Sequence, residues 1–140
     1  MTEAFRTIAT ANSWDFSYGR DDFHNLEVPE EGTTALYLDP IETEKNFERA
    51  TKVHSGRFMM LVKSDLDNVY DAQKDQDKTT GKFKSNIEPI KAENGPLETL
   101  ELAIMCAGYG INQWRCLEVI NLFDQNLDGV IINFRITEYL

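Results

Sequence analysis

Three stretches of the chain carry the clearest periodicity. Residues 130–137 read Val-Ile-Ile-Asn-Phe-Arg-Ile-Thr. Ile132, Phe134 and Ile136 alternate there with Asn133, Arg135 and Thr137, the two-residue period of a strand with one buried face. The run is also rich in β-branched residues, which suit a pleated surface. Residues 53–63, centred on the sequence RFMMLV, form a short apolar run without alternation, which predicts a strand covered on both faces. By contrast, 97–107 sets Leu97, Leu100, Ile104 and Ala107 on one side at helical spacing. Pro96 before it and Gly108 after it are the expected helix start and stop.

Weaker signals fill in the rest. Thr2–Ala11 predicts a short helix with Phe5, Ile8 and Ala9 on one side. Residues 14–18 alternate aromatic and polar side chains, as a first core strand does. The same pattern suits an extended arm that lays Trp14, Phe16 and Tyr18 on a neighbouring chain. Residues 33–38 predict a strand stopped by Asp39-Pro40. Residues 41–51 are charged, with Phe47 alone among polar neighbours, and read as a solvated loop or a short helical turn. Ser64 followed by Asp65 and Asp67 has the composition of a helix N-terminus, with the helix running to about residue 73. Residues 74–85 read as a long exposed loop. If that loop orders against a partner subunit, Lys78, Lys82, Phe83 and Lys84 are its interface candidates. Residues 85–93 predict a further short helix, with Pro89 in its first turn.

These elements amount to an α+β fold in a single domain over residues 1–140: a mostly antiparallel sheet with helices packed on it, closed by a C-terminal β-hairpin. The expected core is Leu36, Leu38, Phe58, Met60, Val62, Leu100, Ile104, Val119, Ile132 and Phe134.

The last stretch, 113–140, admits two readings. Asp124, Asn126 and Asp128 stand at positions 1, 3 and 5 of a calcium-loop pattern, with Gly129 at position 6. Position 12, where a bidentate Glu belongs, is Arg135. That substitution removes two oxygen ligands and brings a positive charge to the site. The period-2 run after Gly129 also replaces the exit helix of an EF-hand. The stretch is therefore read as a hairpin with Asp128-Gly129 as its turn signal. Residues 114–123, apolar on both sides, are read as a central strand. An EF-hand-like calcium module remains the rival reading.

The chain carries a net charge of −10. Its net negative charge falls in residues 1–50 and 96–140, while 51–95, where bases balance acids, is close to neutral. Specific nucleic-acid binding and an anionic membrane surface are both disfavoured, because each requires clustered Lys and Arg. Cys106 and Cys116 lie in apolar runs and read as small buried hydrophobes in a reducing compartment rather than a bridge. The first residues lack the basic and apolar regions of a signal peptide. His24 and His54 belong to no metal-ligand spacing, and no nucleophile elbow or phosphate loop is present. A protein without catalytic activity and without a cofactor is expected.

The order of elements, with the phrases LYLDPIE, RFMMLVKSDLDNVYD, LETLELAIMCAGYG and EVINLFDQNLDGVIINFRITEYL, resembles the small α/β proteins of tailed-bacteriophage necks and tails. These are the tail-terminator, tail-completion and head–tail connector proteins. The resemblance covers about residues 35–140 and has no diagnostic catalytic motif. It implies a virion structural protein assembled in the host cytoplasm, a homo-oligomeric ring that is commonly six- or twelve-fold. Its neighbours would be portal, adaptor or tail-tube proteins, and DNA would pass through an acidic lumen. The bland alternative is a cytosolic protein-binding adaptor.

Overall fold

The computed structural model describes residues 1–19, 32–63, 83–122 and 127–140. Within them the fold is α+β. Six strands form one sheet: β1 (Asp15–Tyr18), β2 (Thr34–Leu38), β3 (Glu42–Asn46), β4 (Thr51–Lys63), β5 (Tyr109–Leu122) and β6 (Leu127–Tyr139). Their order is β1-β2-β4-β6-β5, with β3 also paired to β4. Only β1 and β2 run parallel; the remaining pairs are antiparallel.

β4 is the axis of the sheet. One side pairs along its length with β6, from Thr51 opposite Tyr139 to Lys63 opposite Leu127. The other side is shared by two partners in tandem. β2 covers Phe58–Val62, and β3 covers Thr51–Ser55. Between them residues 39–41 face only Gly56 and Arg57, so the edge carries one extra residue, a bulge. Asp39 fastens it: its N–H donates to the Arg57 carbonyl at 3.0 Å, and its carboxylate accepts from Arg57 Nε at 2.8 Å. Gly56 leaves room there for the cross-strand Phe134 ring, whose nearest carbon would lie 3.1 Å from an added Cβ.

The helices lie on one face of this sheet. α1 (Thr2–Ala11) buries Phe5 and Ala9. A π-helical turn (Phe83–Ile87) runs directly into α2 (Glu88–Lys91), burying Ile87 and Ile90. α3 (Pro96–Cys106) buries Leu97, Leu100 and Ile104. These side chains meet Leu36, Leu38, Phe58, Met60, Ile132, Phe134 and Ile136 in the main core. The expected core residues thus fall largely together. Val62 packs partly buried against the same cluster. Val119 instead joins Ala35, Tyr37, Met59, Leu61 and Leu127 in a smaller cluster on the opposite face.

The structure corrects several expectations. Residues 42–46 are a strand rather than a loop or helical turn. Every residue of β3 is exposed, so no apolar period marks it; its ladder to β4 makes it a strand. β5 begins earlier than expected and is an edge strand of the described sheet, not a central one. Its middle residues, including Leu117 at 59% exposure, face outward. Cys116 on this edge and Cys106 on the outer side of α3 are exposed rather than buried. The helical structure expected over 85–93 starts already at Phe83, inside the expected loop. Residues 64–82, with the predicted helix, Lys78 and Lys82, lie outside the described residues.

Asp128-Gly129 is not the hairpin turn. The two residues sit within β6, opposite Val62 and Leu61 of β4. Asp128 is fully buried, and its Oδ2 accepts a hydrogen bond from Asn86 Nδ2 at 2.8 Å. The bond fastens the π-helical turn to the sheet. Asp128→Ala is expected to cost roughly 1–3 kcal/mol, because a buried polar network loses a member. Urea unfolding of Asp128→Ala, Asn86→Ala and the double variant measures it. Strictly additive single losses would show that the two side chains do not act together.

Candidate functional site

Three side-chain arrangements stand out among the described residues. The first centres on His54 of β4, which is 5% exposed. Its Nδ1 lies 2.9 Å from Thr43 Oγ1 of β3, and its Nε2 lies 2.9 Å from Glu138 Oε2 of β6. The Tyr109 ring meets it edge-on at 6.5 Å. Hydroxyl, imidazole and carboxylate in line resemble an activated nucleophile. The three groups come from three adjacent strands, at the sheet end beyond the main core. Among the described residues, nothing places oxyanion donors or a substrate cleft against Thr43. Through these two contacts His54 ties β3, β4 and β6 together.

The hydrogen bond from His54 holds the Glu138 carboxyl below its ordinary value; partial burial opposes this, and Lys52 assists it. A depressed carboxylate stabilises the fold above the unfolded value of about 4.3, and that stabilisation is lost as pH falls through the lower folded value. Glu138→Gln is accordingly expected to destabilise the chain at neutral pH. The gap between the two proteins should close on acidification below about pH 4. Paired denaturation curves across that range test this, and a gap independent of pH would assign the loss to packing instead.

The second arrangement lies on the sheet face away from the helices. The half of this face near the start of β4 forms two adjoining shallow grooves, of about 530 and 430 Å³. Val53, Arg135 and Thr137 line both; Gln113 and Arg115 extend one, and Arg49 and Tyr139 the other. The register explains the clustering. Gln113 stands opposite Arg135, and Arg115 opposite Asn133, so the two arginines are diagonal neighbours on one face. Among the described residues, neither has a carboxylate in ion-pair range. Glu42 and Glu44 share the face across β4 as an acidic rim.

The third consists of exposed apolar side chains. Phe47, at the tip of the β3–β4 hairpin, is 83% exposed; Leu102 and Met105 of α3 are 49% and 48% exposed. No protein-family model matches the chain, and no curated protein sequence does.

The residues singled out from the sequence are dispersed. Trp14 and Phe16 pack partly buried against the protein's own core, and Arg6 lies over the Phe16 ring at 5.4 Å. Tyr18 is exposed at 48%. Phe83 and Lys84 open the π-helical turn. Asp124 and Asn126 lie outside the described residues. Asp128 is the described member of that trio, and its carboxylate is engaged with Asn86. The segment after it is strand β6, so the exit helix of an EF-hand is replaced by a strand. No helix among the described residues is long and apolar enough to cross a membrane. Sequence reasoning missed the arginine groove because Arg115 and Arg135 lie on different strands. Only the β5–β6 register sets them side by side.

Proposed function

We propose that the chain is a structural subunit of a bacteriophage virion, one that closes into a ring at the head–tail junction or tail end as a connector or tail terminator. The β3–β4 hairpin carries this reading. All of β3 is exposed, its tip presents Phe47 to solvent, and none of its β3 residues joins an apolar cluster. Ordering such an arm costs conformational entropy, and an exposed aromatic at its end is a contact for another molecule. The resemblance over residues 35–140 supplies the setting.

In this reading the partners are copies of the chain and the neighbouring portal, adaptor or tail-tube proteins. DNA passes through the ring without being bound, since the net charge of −10 repels phosphate. The protein is made in the host cytoplasm and stays in the virion, and it catalyses no reaction. Native mass spectrometry and negative-stain images test this, with the chain alone and mixed with neck and tail proteins. Closed rings in either sample are the expected result. A chain that neither self-assembles nor binds virion components would overturn the reading.

A further inference from the structure

We infer that the open half of the sheet face receives helix α3 of a second copy of this chain, front to back. The inference rests on the ring reading and names the surfaces that would build the ring.

The two surfaces lie on opposite sides of one subunit. α3 packs on the helix-bearing face through Leu97, Leu100 and Ile104. Its outward side carries Glu98, Leu102 and Met105, spaced four and three residues apart and hence in one stripe. Leu102 and Met105 are about half exposed, and no cation among the described residues is in ion-pair range of Glu98. The other side of the sheet offers the guanidinium groups of Arg115 and Arg135, which have no carboxylate in ion-pair range among the described residues. Beside them stand Leu117 at 59% and Tyr139 at 69% exposure. Aromatic and arginine side chains of this kind are typical anchors of protein interfaces.

Charge selects the arrangement. Two sheet faces brought together by a twofold axis would set arginine against arginine. Two α3 helices so paired would set Glu98 against Glu98. Helix on sheet face sets Glu98 against the two arginines and Leu102 and Met105 against Leu117 and Tyr139, so that opposite charges and apolar groups meet together. That contact is heterologous: each copy uses one surface as donor and the other as acceptor, so repetition closes a ring or grows a filament.

Two variants of the full chain test this: Arg115→Glu with Arg135→Glu, and Leu102→Asp with Met105→Asp. All four positions are at the surface or partly so, and circular dichroism checks that both variants keep the fold. By sedimentation velocity, the unaltered chain is expected to self-associate, and each variant to associate about 100-fold more weakly. Mixing the two variants should give a one-to-one dimer that grows no further, because each retains the surface that the other lacks. Assembly unaffected in both variants overturns the inference but leaves the ring reading standing on another contact. A chain that is monomeric alone yet enters rings with neck proteins does the same. A chain that never assembles overturns both. Saturable binding of inorganic phosphate or an oligothymidylate, lost in the arginine variant, would assign the groove to phosphate and overturn the inference as well.

Discussion

Phe58→Ala is expected to lower the unfolding free energy by roughly 3–5 kcal/mol, the usual cost of removing a buried phenyl ring. Phe58 is fully buried and sits midway along β4, facing the helices. Its ring centroid lies 5.6 Å from that of Phe5 on α1, 5.3 Å from Trp114 on β5 and 6.0 Å from Phe134 on β6. The rings are tilted, as favourable aromatic pairs are. One side chain therefore joins the N-terminal helix, the central strand and both strands of the C-terminal hairpin. Rigid elements on every side limit how far the site can collapse around the void, which moves the expected loss towards the upper end of that range. Against a total stability of about 5–15 kcal/mol for an ordinary domain, the variant would be marginal. Phe58→Leu, which keeps most of the volume, should lose clearly less. Urea unfolding followed by tryptophan fluorescence measures both, and Trp114 reports from inside the cluster. A loss under about 1 kcal/mol for Phe58→Ala would mean that these elements are held together elsewhere.

Much of this core is legible in the sequence, because local pattern and tertiary role agree there. The Phe5, Ile8 and Ala9 side of α1, the unbroken run in β4, and the alternation in β6 each say which side chains are hidden. What is not legible depends on partners far along the chain. β3 has no apolar face, so nothing local marks it as a strand; residues 51–55 of β4 impose that state. The edge position of β5 cannot be read from its own composition, since strand order is a property of the whole sheet. His54 and Glu138 are 84 positions apart, and no spacing rule connects them. The arginine groove exists only because β5 and β6 pair in one particular register. Asp128-Gly129 shows the opposite failure. A dipeptide favoured in tight turns stands inside a strand, held there by burial of the aspartate and by the close approach of a neighbouring backbone.

That approach underlies the second large effect, in Gly129→Ala. Gly129 lies in β6 between Leu61 of β4 and Val119 of β5, with φ at +159°, at the edge of the positive range that L side chains rarely adopt. The larger obstacle is space. A Cβ at this position would collide with the Met60 carbonyl oxygen and lie 3.0 Å from the Leu61 Cα. Both atoms belong to the backbone of the central strand, so no rotamer change relieves them; β4 and β6 would have to part locally. Overpacking that is absorbed by side chains costs about 1–3 kcal/mol. Forcing two backbones apart should reach or exceed the top of that range and disturb the Asp128–Asn86 bond next to it. Gly108 provides the contrast. It ends α3 at φ +94° with nothing within 4 Å of an added Cβ, so Gly108→Ala isolates the conformational cost of a left-handed residue, about 1 kcal/mol. Urea unfolding of the two variants side by side should therefore rank Gly129→Ala well above Gly108→Ala. Amide exchange should also quicken around residues 60–62 and 128–130 in the Gly129 variant alone. Equal losses at the two glycines would mean that β4 and β6 are not pressed together at Gly129 as tightly as the ladder requires.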